Sequence, residues 1–180
     1  GYLIDQFLRD TPNQRTDAYG GSLENRARLL FEVLTAVTQA IGSERVGLRL
    51  SPLNSFNSMK DSDPLALIGF LADRLNAFKL AYLHVMRADF FGVQKADVMP
   101  VARERYKGGL VGNMGYSADE AEAAIAEGKL DAVAFGTAFL ANPDLPARIR
   151  AKAPLNAPDS NTFYAGGAKG YTDYPTLQVA

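Results

Sequence analysis

The chain contains no cysteine, which excludes disulfides, a thiolate nucleophile and any cysteine-ligated metal site. Histidine is nearly as scarce. His84 stands alone, so no histidine pair exists to hold a metal, and the acidic residues show no ligand spacing. Charge of neither sign predominates: 19 Lys and Arg face 20 Asp and Glu, for a net charge of −1. That balance offers no electrostatic attraction to nucleic acid or to an anionic membrane. No apolar run approaches the ~18 residues needed to span a bilayer. The first residues also lack the basic and apolar blocks of a secretion signal. Together these absences predict a cytoplasmic protein with no nucleic-acid or membrane partner.

What is present is a core and a rhythm. With 180 residues and 47% hydrophobic content, the chain can bury the core of one domain. Ser22 can cap a helix whose apolar residues Leu23, Ala27, Leu30, Leu34, Val37 and Ile41 step by three and four, and Gly42 stops it. Residues 46–50 form a short strand, ended by Ser51 and Pro52. Asp63 and Pro64 supply the cap and first position of a second helix, with Leu65, Ile68, Leu71, Ala72 and Leu75 on its apolar face. A second strand at 81–86 and a looser helical stretch at 93–106 lead to a third strand at 109–111. Ser117 to Glu120 is a capping-box pattern opening an Ala-rich helix that runs to Glu127. A fourth strand follows at 131–135. Gly136 and the Asn142-Pro143 pair then bracket a short helix ahead of a last one at 144–152.

Strands and helices in alternation predict a parallel β/α architecture. An open doubly wound sheet is compatible with this, but not a dinucleotide-binding one, since no Gly-x-Gly-x-x-Gly follows any strand. In (β/α)₈ barrels, phosphate often sits on the loops after strands seven and eight, beside a short extra helix. Here Gly112-Asn113-Met114-Gly115 follows the third strand, and Gly136-Thr137 follows the fourth where a short helix begins. A whole barrel takes about 250 residues. The expected fold is therefore a (β/α)₈ TIM barrel of which this chain supplies about the last four units, a half-barrel. Gly1 and Tyr2 read as the interior of a site rather than as a beginning, which agrees with the C-terminal half of an enzyme.

Five stretches carry a family resemblance. They are Gly1 to Leu8; Arg15-Thr16-Asp17-Ala18-Tyr19-Gly20-Gly21-Ser22-Leu23-Glu24-Asn25-Arg26; Gly47-Leu48-Arg49-Leu50-Ser51-Pro52; Ala141-Asn142-Pro143-Asp144-Leu145; and Gly170-Tyr171-Thr172-Asp173-Tyr174-Pro175. In this order the sequence resembles the Old Yellow Enzyme family of flavin-dependent ene-reductases over essentially its whole length. The resemblance implies a barrel binding FMN at the C-terminal ends of its strands. It further implies NAD(P)H as hydride donor and an activated alkene, typically an α,β-unsaturated carbonyl, as acceptor.

It also assigns residues. Tyr2 would protonate the α-carbon of the alkene, a task suited to a phenol, which at its ordinary pKa of ~10 is a protonated acid at neutral pH. Arg49, a charge inside a strand, would approach the pyrimidine edge of the flavin and stabilise negative charge there. Gly112, Asn113, Gly136 and Thr137 would bind the FMN phosphate, mainly through backbone N–H groups. Many relatives carry Arg where Thr137 stands, and one neutral hydroxyl cannot replace a bidentate, charge-assisted pair. The tail at 153–180 would reach the mouth of the site, with Tyr171 contacting substrate or nicotinamide. Packing is an equal account of Tyr164 and Tyr174. His84 reads as a packed, hydrogen-bonded strand residue, and Glu24 and Arg26 as helix-surface or loop anchors.

In the family, a His-x-x-Asn pair just before the Gly-Tyr motif binds the substrate carbonyl, and the first four strands add flavin contacts. Neither occurs in this sequence. The expected partner is therefore the N-terminal half of the barrel as a separate chain, and this chain alone is expected to be inactive. Two further readings are open on the residues: another phosphate-binding β/α-barrel enzyme such as an isomerase, and a non-catalytic, self-associating half-barrel scaffold.

Overall fold

The computed structural model describes residues 2–165 and 167–177, so Gly1 of the opening motif and Gly166 of the Gly-rich loop lie outside the described residues. The chain forms two compact units, Gly1–Val133 and Ala134–Ala180. In the first, helices α1 (Leu3–Leu8), α2 (Leu23–Ile41), α3 (Pro64–Leu75), α4 (Val98–Arg105) and α5 (Ala118–Ala126) alternate with strands. The strands are β1 (Gly47–Leu50), β2 (Tyr82–Met86), β3 (Leu110–Asn113) and β4 (Ala132–Ala134), whose last residue, Ala134, is the first of the second unit. They form one sheet in the order β1-β2-β3-β4. β1 is parallel to β2 and β2 to β3, as β/α repetition requires. Among the described residues no helix is long and apolar enough to cross a membrane.

Local chemistry explains where the helices start. Ser22 Oγ accepts from the Asn25 N–H at 3.3 Å, Asp63 Oδ1 from Ala66 at 2.9 Å, and Ser117 Oγ from Glu120 at 3.1 Å. Only half of the capping box at α5 forms, because the Glu120 carboxylate pairs with Arg87 instead. In α2, Ala27, Leu30 and Leu34 are buried as the spacing predicts, whereas Val37 and Ile41 are exposed. Length accounts for this. The 19 residues of α2 run ~28 Å, about twice the ~13 Å of the four-residue β1, so the sheet cannot cover the whole helix. Along α3, Leu67 joins Ile68, Leu71, Ala72 and Leu75 in the core, while Leu65 stays exposed.

Most elements match the sequence analysis to within a residue at either end, and three places differ by more. α1 is a helix where none was assigned. The stretch at 93–106 is helical only from Val98, because the N–H groups of Phe91, Val93 and Gln94 go to the Asp89 carboxylate rather than to a helical ladder. β3 extends through Gly112 and Asn113, which are strand residues and not loop, since the Arg87 N–H still donates to the Asn113 carbonyl at 3.1 Å.

The sheet has two unlike faces. Leu48, Leu50, Leu83, Val85 and Leu110 point into the helix-covered core. Arg49, His84, Val111 and Asn113 occupy the other face, with Arg49 in register with His84 and His84 with Val111.

Loops at the C-terminal strand ends are held by buried polar groups. Arg9, with no exposed surface, donates to the carbonyls of Ser51 (3.0 Å), Asn54 (3.0 Å) and Met59 (3.2 Å) and to Gln94 Oε1 (3.4 Å). Arg26 bonds the Leu8 carbonyl at 2.9 Å and lies 3.6 Å from Asp61, the anchoring role expected of it. Glu24 is exposed on α2. Asp89 accepts from the amides of Ser55 (2.9 Å), Phe91 (3.2 Å), Val93 (2.7 Å) and Gln94 (3.1 Å). Burial works to raise its carboxyl, but the Ser55 amide and hydroxyl and the Gln94 and Phe91 amides outweigh this and bring the pKa down to about 2.

The second unit contains α6 (Thr137–Ala141) and α7 (Leu145–Ala151). Here the Asn142-Pro143-Asp144 motif acts as a clasp. Asn142 Oδ1 accepts from the Asn156 amide at 2.8 Å. Asp144 takes Arg148 Nε at 2.8 Å and the Leu177 N–H at 2.6 Å, while Arg148 reaches the carbonyls of Pro154 (2.6 Å) and Pro175 (2.9 Å).

Two stability outcomes follow. Leu30 is fully buried and Ile41 is 50% exposed. Urea unfolding should therefore show a loss of ~2–5 kcal/mol for Leu30→Ala and under ~1 kcal/mol for Ile41→Ala. A carboxyl whose folded pKa lies below its unfolded ~3.9 stabilises the fold above that value, and the contribution is lost as pH falls through the folded pKa. Between pH ~4 and ~2, Asp89→Asn should thus lose about 1–2 kcal/mol less than the wild type, measured by urea unfolding at each pH.

Candidate functional site

The site expected from the sequence centres on β1 and β3, whose C-terminal ends carry Arg49 and Asn113. Arg49 is two residues from Ser51, where the chain turns away from the sheet, and alternation places it opposite the apolar Leu48 and Leu50. Its Nη2 donates to Asn113 Oδ1 at 3.1 Å and lies 3.7 Å from Met86 Sδ. Side chains from three strands thus meet at one point. Gly112, beside Asn113, is buried, and a Cβ there would lie 2.6 Å from Leu130 Cδ1 and 3.1 Å from the Tyr116 hydroxyl, so those side chains would have to shift.

The loop after β3 is fixed from behind by Arg87. Its Nε donates to the Met114 carbonyl at 2.8 Å and Nη2 to the Gly115 carbonyl at 2.9 Å. Its guanidinium also lies 3.6 Å over the Tyr116 ring and pairs with Glu120, whose hydrogen bond raises the Arg87 pKa. Met114 and Gly115 both adopt positive φ, 85° and 73°. In a trans peptide the N–H points opposite its carbonyl, so with both carbonyls turned to Arg87, the N–H groups of Gly115 and Tyr116 face the other way.

His84 differs from expectation. It is half-buried on the same face as Arg49, and its Nε2 is buried without a hydrogen-bond partner among the described residues. Burial lowers its pKa and the Arg49 charge lowers it further, so the imidazole is neutral at pH 7.

The remaining predicted residues stand as follows. Tyr2 is 85% exposed in an extended conformation at the start of α1, where its carbonyl accepts from the Gln6 N–H at 3.0 Å. In the second unit, Gly136 precedes α6 with open space where its Cβ would be, and Thr137 is exposed as the first residue of that helix. No side chain caps α6. Tyr171 is half-exposed and its hydroxyl donates to the Phe163 carbonyl. The Tyr174 hydroxyl accepts from the Asp159 N–H at 2.8 Å, a packing role, whereas Tyr164 is almost wholly exposed.

Sequence reading missed the residues that shape the strand-end loops: Arg9, Asp89, Gln94 and the exposed Phe56 and Phe91, whose rings stack with centroids 6.2 Å apart. The only signal was a charge directly after the apolar Phe7-Leu8 and a Phe90-Phe91 doublet before a glycine. A separate groove of about 530 Å³ between α4 and α5 lies on the helix side of the sheet.

The Arg49 face of β1–β3 presents a guanidinium, an amide and a neutral imidazole, and no carboxylate. Such a donor set fits an electron-accepting ring that becomes negative on reduction. The outward amides of Gly115 and Tyr116 after β3 fit a phosphate. The residues present therefore fit FMN.

Comparison with known proteins agrees. Residues 1–156 match the model of the NADH:flavin oxidoreductase / NADH oxidase family. The chain is 58% identical over 178 residues to a probable flavin mononucleotide-dependent alkene reductase of Leishmania infantum, covering 98% of this chain and 48% of that protein. It is 42% identical over 184 residues to 12-oxophytodienoate reductase 2 of Arabidopsis thaliana, covering 99% and 49%. Among solved structures, the old yellow enzyme from Trypanosoma cruzi superposes with a TM-score of 0.96 at 44% identity, covering 99% of this chain and 48% of that one. Morphinone reductase superposes with a TM-score of 0.90 at 47% identity, covering 97% and 48%. The chain spans about half the length of the curated relatives it matches, and its four-stranded parallel sheet corresponds to half of their barrel. It belongs to the NADH:flavin oxidoreductase / NADH oxidase family, that of the Old Yellow Enzymes.

Proposed function

We propose that this chain supplies the proton-donating and flavin-holding half of an alkene reductase, acting on α,β-unsaturated carbonyl compounds when the first half of the barrel completes it. The observation that carries the reading is the Arg49–Asn113 contact at 3.1 Å, on a sheet face without a carboxylate, in a chain whose relatives include a flavin mononucleotide-dependent alkene reductase. Bound FMN would supply the redox chemistry, accepting hydride from NAD(P)H and passing it to the alkene β-carbon.

The chain's own residues divide the remaining work. Tyr2 delivers a proton from its phenol to the α-carbon, a general-acid role. Arg49 holds positive charge at the pyrimidine edge of the flavin, and Asn113 Oδ1 steadies its guanidinium. Gly112 and Asn113 on β3, and Gly136 and Thr137 at the start of α6, would hold the phosphate. With Thr137 in place of a cation, phosphate binding rests on backbone amides and one hydroxyl. Tyr171, on the tail at 153–180, faces substrate or nicotinamide, while its hydroxyl bond to Phe163 fixes the ring.

The test is Tyr2→Phe in the completed barrel. Reduction of the flavin by NAD(P)H should stay within ~2-fold of wild type, while enone turnover falls ~100-fold or more. Unchanged enone turnover would sink the proton-donor role.

A further inference from the structure

We infer that Arg9 is a positioning residue for the proton donor: it fastens the helix that carries Tyr2 to the strand end that carries Arg49. This inference rests on the proposed role of Tyr2. Arg9 directly follows α1, and its own N–H closes the helix on the Asp5 carbonyl at 3.1 Å. From there the buried guanidinium crosses to the loop after β1. Its Nη1 donates to the Ser51 carbonyl at 3.0 Å, two residues beyond Arg49. Its Nη2 is shared among Asn54, Met59 and Gln94. Gln94 is itself fixed, donating to the Asp61 carbonyl at 2.9 Å and accepting from the Asp61 N–H at 3.3 Å. Arg9 thus joins α1, the loop after β1 and the loop after β2 in one bonded unit.

The geometry gives this joint unusual leverage. α1 has six residues, well below the ~12–15 at which an isolated helix becomes even marginal, so its placement depends on its anchors. At its far end Tyr2 is 85% exposed, and its ring has little packing to hold it. A misplacement of ~1 Å at a reacting group can cost ~100-fold in rate. The requirement is for arginine in particular. A planar fork spans several fixed carbonyls at once, whereas the lysine ammonium presents its donors from a single point. Lysine preserves the charge and loses the span.

Arg9→Lys and Tyr2→Phe, singly and together in the completed, FMN-loaded barrel, test the inference, alongside amide hydrogen exchange on the same proteins without substrate. In the Tyr2 background, Arg9→Lys should lower the alkene-reducing step ~10-fold or more and leave flavin reduction by NAD(P)H and FMN affinity within ~2-fold. In the Tyr2→Phe background the same change should cost nothing further, because the group being positioned is already gone. Exchange should rise in segments 2–9 and 51–59 and stay unchanged in α3. Gln94→Ala, which removes one acceptor of the same guanidinium, should give the pattern at smaller amplitude and serves if Arg9→Lys fails to fold. An equal loss from Arg9→Lys in both backgrounds, a parallel loss of both half-reactions and of FMN, or unaltered exchange in segment 2–9 would each overturn the inference. Failure of the underlying reading is seen separately, as undiminished alkene reduction by Tyr2→Phe alone, and it overturns the positioning role as well.

Discussion

A guanidinium without solvent is costly unless its donors are met, and the loops at the C-terminal end of this sheet are arranged around meeting those of Arg9. Burial depresses the pKa of Arg9, and the carboxylates of Asp5, Asp61, Asp10 and Asp89 raise it in opposition. Three backbone carbonyls and a glutamine oxygen complete the cage, while Nε alone has no partner among the described residues. The carbonyls belong to a loop with little regular structure, which the cation holds together with Asp89 at Ser55. Removing the fork would take from the Asn54 and Met59 carbonyls their donor, at a cost of ~1–3 kcal/mol each, while the Ser51 carbonyl and Gln94 Oε1 would keep the Asn54 and Asp61 N–H groups.

That constraint matters because of what lies beside it. The sheet turns apolar residues toward its helices and reserves the opposite face for Arg49, His84 and Asn113. Burial on that face lowers the pKa of the neighbouring imidazole, and the Arg49 charge lowers it further. Arg87 makes a matching arrangement one strand further on, engaging the carbonyls of Met114 and Gly115 so that the following amides turn outward. In both places a buried or stacked arginine holds a strand-end loop by its backbone carbonyls.

Much of the fold was legible because its signals are local. Ser22, Asp63 and Ser117 cap the helices that their side chains predict, and the three-and-four spacing of Ala27, Leu30 and Leu34 marks a buried face. The Arg49 position was legible as a charge in a strand flanked by leucines. What escaped depends on distant partners. Arg9 bonds residues 42 to 85 positions away, and no spacing rule encodes that. The Asp89 carboxylate takes the amides of Phe91, Val93 and Gln94, so the first residues of a stretch that reads as helical form a loop. Gly112 and Asn113 resemble a turn, yet pairing with β2 keeps them in the strand. α1 has too few residues to show a period, although it carries Tyr2.

The most direct test of the account is an FMN titration of the completed barrel, followed by the visible flavin spectrum, for wild type and Arg49→Ala. One FMN bound per chain, with affinity reduced ~10-fold or more by the substitution, is the predicted result for a charge-assisted contact at the flavin edge. A barrel that binds no FMN, or binds it equally with and without Arg49, would contradict the placement of the flavin on these strand ends.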